Sequence, residues 1–137
     1  MSEPGSTPSP HIRVRNLDSG RMLAVRAHVA RTRRERAIGL LGQRGLTRGD
    51  GLWISPTRGV HTCGMRFPID IAALDADGRV IDQVVAMKPW RLRWPRPGAV
   101  GVLELPAGCL ERSHTRLGDR LALEMLDAGS GAEAPAR

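Results

Sequence analysis

Ile69-Asp70-Ile71-Ala72-Ala73-Leu74-Asp75-Ala76-Asp77-Gly78-Arg79-Val80 carries the pattern of a strand, a tight turn and the start of a returning strand. Strand-like sequence from Ile69 to Leu74 runs into Asp75-Ala76-Asp77-Gly78, the strongest hairpin signal in the chain, in which glycine supplies the positive φ of a tight turn. A returning strand over Arg79 to Met87 follows. Upstream, Ile12, Val14 and Asn16 alternate with Arg13 and Arg15, the period of a half-buried strand, and Asp18-Ser19-Gly20 turns the chain into a second strand over Met22 to Val29. The same signals predict strands over Leu52 to Ile54, Gly59 to Met65, Val100 to Leu105 and Arg120 to Leu126. Pro89, Pro95 and Pro97 make the stretch before Val100 an irregular connection, because proline cannot donate into a ladder.

Two short helices are expected among these strands. Thr32-Arg33-Arg34-Glu35 has the spacing of a capping box, and Ala37, Ile38, Leu40 and Leu41 give the helix over 32–42 an apolar face before Gly42. Pro106-Ala107-Gly108 opens a second, near 107–113. About eight short strands with so little helix imply a mostly β, α+β domain, built as a small barrel or strongly bent mixed sheet. A two-layer sheet with the Thr32 helix on one face is the alternative.

A chain of 137 residues suits one core. Residues 1–10, rich in proline and serine, read as an arm, residues 11–128 as a single globular domain, and residues 129–137 as a tail. The N-terminus lacks the basic start and apolar run of a secretory signal, and no stretch approaches the ~20 apolar residues of a membrane span. Two cysteines, Cys63 and Cys109, are too few for a secreted disulfide scaffold. Together these features predict a soluble, cytoplasmic protein, a monomer or weak dimer. The net charge of +7 comes from twenty arginines and Lys88 against 14 acids, an imbalance explained first by biased base composition and second by an anionic partner.

The chemistry-bearing residues fall into four sets. His61, Asp70 and Glu104 are polar groups in strand-like sequence, where a buried charge requires a partner. They suggest a small hydrolase with His61 as general base, although a histidine bridging two strands is the commoner role. Met65, Phe67, Asp70, Trp90 and Glu104 combine apolar surface with carboxylates, the mixture of a small-molecule or partner-binding site. Trp90, Arg91, Arg93, Trp94 and Arg96 interleave indoles with cations and form the weaker case for nucleic acid; tryptophans capping the barrel are the simpler alternative. His61, Cys63, Cys109 and His114 offer zinc-like ligands at a spacing that fits no standard knuckle, so no metal and no cofactor is expected.

Glu35 to Gly42, His61 to Asp70, Asp75 to Val80, Leu103 to Gly108 and Gly118-Asp119 occur in an order that resembles the bacterial and archaeal family called domain of unknown function 192. The resemblance covers about residues 25–126. It implies a compact, mainly β fold with a helix near its N-terminal end, and no established reaction. It also implies that Met65, Pro68, Asp70, Glu104 and Gly108 are characteristic positions. The chain departs from the pattern at Cys63, where an aromatic residue is usual, and at Cys109. The leading expectation is a binding module with a site around His61 to Asp70.

Overall fold

The computed structural model describes residues 11–30, 46–57, 59–63, 65–94 and 96–126. The helix expected over 32–42, the arm over 1–10 and the tail over 129–137 lie outside the described residues. The described residues form nine strands and one helical turn: β1 (His11–Asn16), β2 (Met22–Ala30), β3 (Asp50–Ile54), β4 (Val60–His61), β5 (Ile69–Leu74), β6 (Val80–Met87), β7 (Leu92–Arg93), β8 (Gly101–Pro106), α1 (Cys109–Arg112) and β9 (Leu121–Leu126).

Seven strands form one sheet in the order β6-β5-β8-β3-β2-β1-β9, and β4 pairs with β7 in a separate two-stranded ribbon. Every neighbouring pair in the large sheet is antiparallel except β2 and β3, which run parallel. At the far end, His11 of β1 lies opposite Leu126 of β9.

All six residues of β5 and all six of β8 are buried. Burial on both faces explains why these strands read as nearly continuous apolar runs. Two cores result. Ala72, Leu74, Leu103 and Leu105 face one that includes Ile12, Val14, Leu23, Ala27, Leu110 and Leu121. Ile69, Ile71, Ala73 and Val102 face the other, with Leu52, Ile54, Val60, Met65 and Met87.

The sheet curls into a half-barrel whose two outer strands meet at one end. Val80 donates its N–H to the Asp119 carbonyl at 2.8 Å, Gly118 donates to Val80 O at 2.8 Å, and Leu121 donates to Gly78 O at 2.8 Å. Arg79 and Arg120 form the bridge between them. The Asp75–Gly78 turn therefore does more than reverse the chain. Asp75 Oδ1 accepts the N–H groups of Asp77 and Arg79, each at 2.9 Å. Gly78 has φ +84° and passes so close to the Leu121 carbonyl that a Cβ would stand 2.7 Å from it. Glycine is required there by conformation and by packing alike.

The predicted strand over Gly59 to Met65 is shortened to Val60–His61, and the expected irregular connection contains its partner β7. The chain leaves β4 in a turn, so His61, Cys63 and Met65 do not share a strand face: Cys63 is exposed and Met65 is buried. The short helix near 107–113 is reduced to α1.

Candidate functional site

Asp70, the second residue of β5, lies between the edge strand β6 and β8 with no solvent exposure. Its Oδ1 accepts the Ala86 N–H at 2.8 Å, and its Oδ2 accepts those of Gly108 at 3.1 Å and Leu110 at 2.9 Å. Each donor has a local origin. Ile69 pairs with Met87 and Ile71 with Val84, so β6 carries one extra residue, with Val85 and Ala86 both opposite Asp70. That bulge, with Ala86 at φ +51°, frees one N–H from the ladder. Gly108, at φ +96°, opens α1, where the first N–H groups have no partner in the helix. One buried carboxylate thus ties three segments and is compensated by charge-assisted hydrogen bonds.

Glu104 is also fully buried, one register step away on β8. Paired residues in a sheet share a face. Asp70 is paired with Leu105 and Glu104 with Ile71, which places the two carboxylates on opposite faces, each toward a different core. They cannot serve one imidazole together. His61 is half-buried on the ribbon, and its Nδ1 accepts the Cys63 N–H at 3.3 Å. The proposed small-molecule set is divided in the same way: Met65, Asp70 and Glu104 are buried, Phe67 packs against the second core, and Trp90 projects outward.

What the His61–Asp70 segment builds most clearly is a support centred on Thr62. This side chain is fully buried, donates to Lys88 O at 2.6 Å and accepts the Arg91 N–H at 2.8 Å. Its backbone N–H donates to Arg91 O at 2.9 Å, and its carbonyl accepts the Trp90 N–H at 2.9 Å. Arg93 of β7 forks onto Asp82 of β6, with Nη2 to Oδ1 at 2.7 Å and Nε to Oδ2 at 3.0 Å. The hydrogen bonds to Asp82 raise the Arg93 pKa above its ordinary value.

Held this way, the ribbon and the residues before it expose a ridge. Trp90 is 67% exposed and Trp94 64% exposed, with Leu92 between them. Trp90 has φ +63°, a left-handed conformation that a bulky residue adopts at a cost. Trp94 lies against Gly59, where a Cβ would stand 2.5 Å from the indole. Lys88, Arg91 and Arg96 are exposed beside these rings.

A model of the family described as uncharacterized ACR, DUF192, matches residues 14–123. The chain belongs to the DUF192 family. Among its relatives, a UPF0127 protein of Pyrococcus furiosus is 39% identical over 62 residues, which cover 45% of this chain and 53% of that protein. Another, from Thermococcus sibiricus, is 30% identical over 76 residues, covering 56% and 49% respectively. The chain spans about half the length of the curated relatives it matches. A crystal structure from Novosphingobium aromaticivorans, of a protein of unknown function, superposes with a TM-score of 0.69 at 26% identity and covers 89% of this chain and 91% of its own. One from Sinorhizobium meliloti, described as a candidate transcription regulator, also reaches 0.69, at 24% identity, covering 87% and 98%. At that identity the likeness concerns the fold.

In this DUF192 chain both cysteines are free thiols, Cys63 exposed in the turn after β4 and Cys109 buried in the first core. Among the described residues, no three or more His, Cys, Asp or Glu side chains are grouped to hold a metal, and no helix is long and apolar enough to cross a membrane. Sequence reasoning passed over Thr62 and Asn16. Asn16 is fully buried; it donates to Thr115 Oγ1 at 3.1 Å and Asp119 Oδ2 at 3.0 Å, and accepts the Asp18 N–H at 2.8 Å and the Ser19 N–H at 3.0 Å. Its place on the inward period of β1 was the available signal, since a buried amide must find partners.

Proposed function

We propose that this DUF192 chain is a binding module whose contact surface is the ridge from Trp90 to Arg96, and whose His61–Asp70 segment is the support for that ridge. The observation that carries this reading is the exposure of Trp90 and Trp94 on a hydrogen-bonded platform. An exposed indole loses little by meeting a partner and offers a large face to it. The partner chemistry that fits is a single strand of nucleic acid. Bases stack on the two indoles, and phosphates meet Lys88, Arg91 and Arg96, while Arg93 remains on Asp82. The stretch from Lys88 to Arg96 contains no acidic residue that would repel a phosphate backbone.

Titration with a mixed-sequence single-stranded oligonucleotide, followed by intrinsic tryptophan fluorescence, tests this. Three phosphate contacts at roughly 0.7 counterions each predict that log K falls with log salt at a slope of about −2. Trp90→Ala removes one stacking platform and weakens binding by about 1–3 kcal/mol. Unquenched emission across the titration, or wild-type affinity in Trp90→Ala, refutes the reading.

A further inference from the structure

A cleft of about 370 Å³ opens where the start of β2, the segment before β3 and α1 converge. It shares no residue with the tryptophan ridge. Arg21, Arg48 and Arg112, from three separate parts of the chain, line it together with β2 backbone around Leu23. All three arginines are exposed, and none has an ion pair or side-chain hydrogen bond among the described residues. Cys109 also lines the cleft; its thiol donates to the Leu23 carbonyl at 3.2 Å, and burial pushes its pKa up to about 11, so it stays neutral. The nearby Asp70 carboxylate is already committed to the Ala86, Gly108 and Leu110 amides.

Arg48 and Arg112 lie close enough to the Cys109 thiol for their charges to act on it, Arg21 joins them in the lining, and the Asp70 carboxylate is held by its three amides, so a polyvalent anion entering the cleft meets net positive charge. The volume lies within the range of small-ligand sites, about 300–1,000 Å³. A carboxylate offers two coplanar oxygens, whereas a phosphoryl group presents three to donors arriving from different sides, and the guanidinium fork matches it.

We propose that this cleft binds the phosphoryl group of a small phosphorylated ligand, with Arg21, Arg48 and Arg112 as its donors. Isothermal titration of the full chain with pyrophosphate at low ionic strength, repeated with succinate, tests the assignment. Pyrophosphate binds saturably at one site and shifts the Leu23 and Gly49 amide resonances, and succinate binds at least tenfold more weakly. Loss of a charge-assisted hydrogen bond predicts affinity weaker by roughly tenfold or more for Arg48→Ala and for Arg112→Ala. Arg116→Ala, an exposed arginine outside the cleft, leaves the affinity within about twofold of wild type. The proposal is overturned by an unsaturated titration, by succinate binding as tightly as pyrophosphate, or by Arg116→Ala weakening binding as much as the cleft variants. Trp90→Ala leaves pyrophosphate affinity unchanged, which separates this site from the ridge.

Discussion

Replacing Asp70 tests whether the most prominent acid of the His61–Asp70 segment holds the fold together. The wild-type carboxylate satisfies three backbone amides at 2.8, 3.1 and 2.9 Å from a position without solvent. Asp70→Asn preserves shape but has one acceptor oxygen. Aimed at Gly108 and Leu110, that oxygen leaves an NH₂ group facing the Ala86 N–H; aimed at Ala86, it strands the other two. At least one charge-assisted bond is lost, for about 1.5–3 kcal/mol. Asp70→Ala loses all three and leaves the donors buried, for about 4–5 kcal/mol at the low end of the same range, a large share of the roughly 5–15 kcal/mol available to a domain. Urea unfolding should show the midpoint falling in the order wild type, Asn, Ala, with an unchanged slope. Hydrogen exchange should accelerate first at Ala86, Gly108 and Leu110. If Asp70→Asn unfolds within about 0.5 kcal/mol of wild type, or is more stable, the structural reading of Asp70 is wrong, because groups kept for activity commonly cost stability.

Two further perturbations reach other parts of the molecule. Thr62→Val deletes the hydroxyl between Lys88 O and the Arg91 N–H, and should lower stability by about 2 kcal/mol while increasing acrylamide quenching of tryptophan emission; unchanged quenching would show that the ridge does not depend on Thr62. His11 and His28 are cross-strand partners, 3.2 Å apart through Nε2 and Nδ1. Burial first, then Arg26 and His28, hold the His11 pKa below its ordinary 6.5. The unfolded chain therefore takes up this proton at higher pH than the folded one, so stability present above 6.5 is lost as pH falls through that value toward the folded pKa. Urea midpoints measured between about pH 7 and about pH 5.5 should decline less in His11→Gln than in wild type; identical declines would place the titration elsewhere.

Local chemistry made much of the sheet readable. The alternation from Ile12 to Asn16 and the Asp75–Gly78 turn act over a few residues, and both elements stand where their patterns put them. The parallel pairing of β2 with β3 depends on how the chain crosses between them, which periodicity does not encode. Asp70 was conspicuous as an acid in an apolar strand, yet its partners are 16, 38 and 40 residues away, so position in sequence could not tell a tie from a catalytic group. Glu104 looked like its companion until register put the two on opposite faces. Thr62, with an ordinary small polar side chain, gave no warning of its central place. The tryptophans posed the reverse difficulty: the same stretch suits a barrel cap or an exposed ridge, and only the Thr62 bonds and the Arg93–Asp82 fork select the second.

The pairing of β1 with β9 has a topological consequence. His11 and Leu126 face each other across one ladder, so the strand that enters the sheet and the strand that leaves it do so side by side. Cα atoms of opposed residues in such a pair are about 4.5–5.5 Å apart. A loop joining Leu126 to His11 would therefore close the sheet into a continuous β9-to-β1 hairpin without reordering a strand.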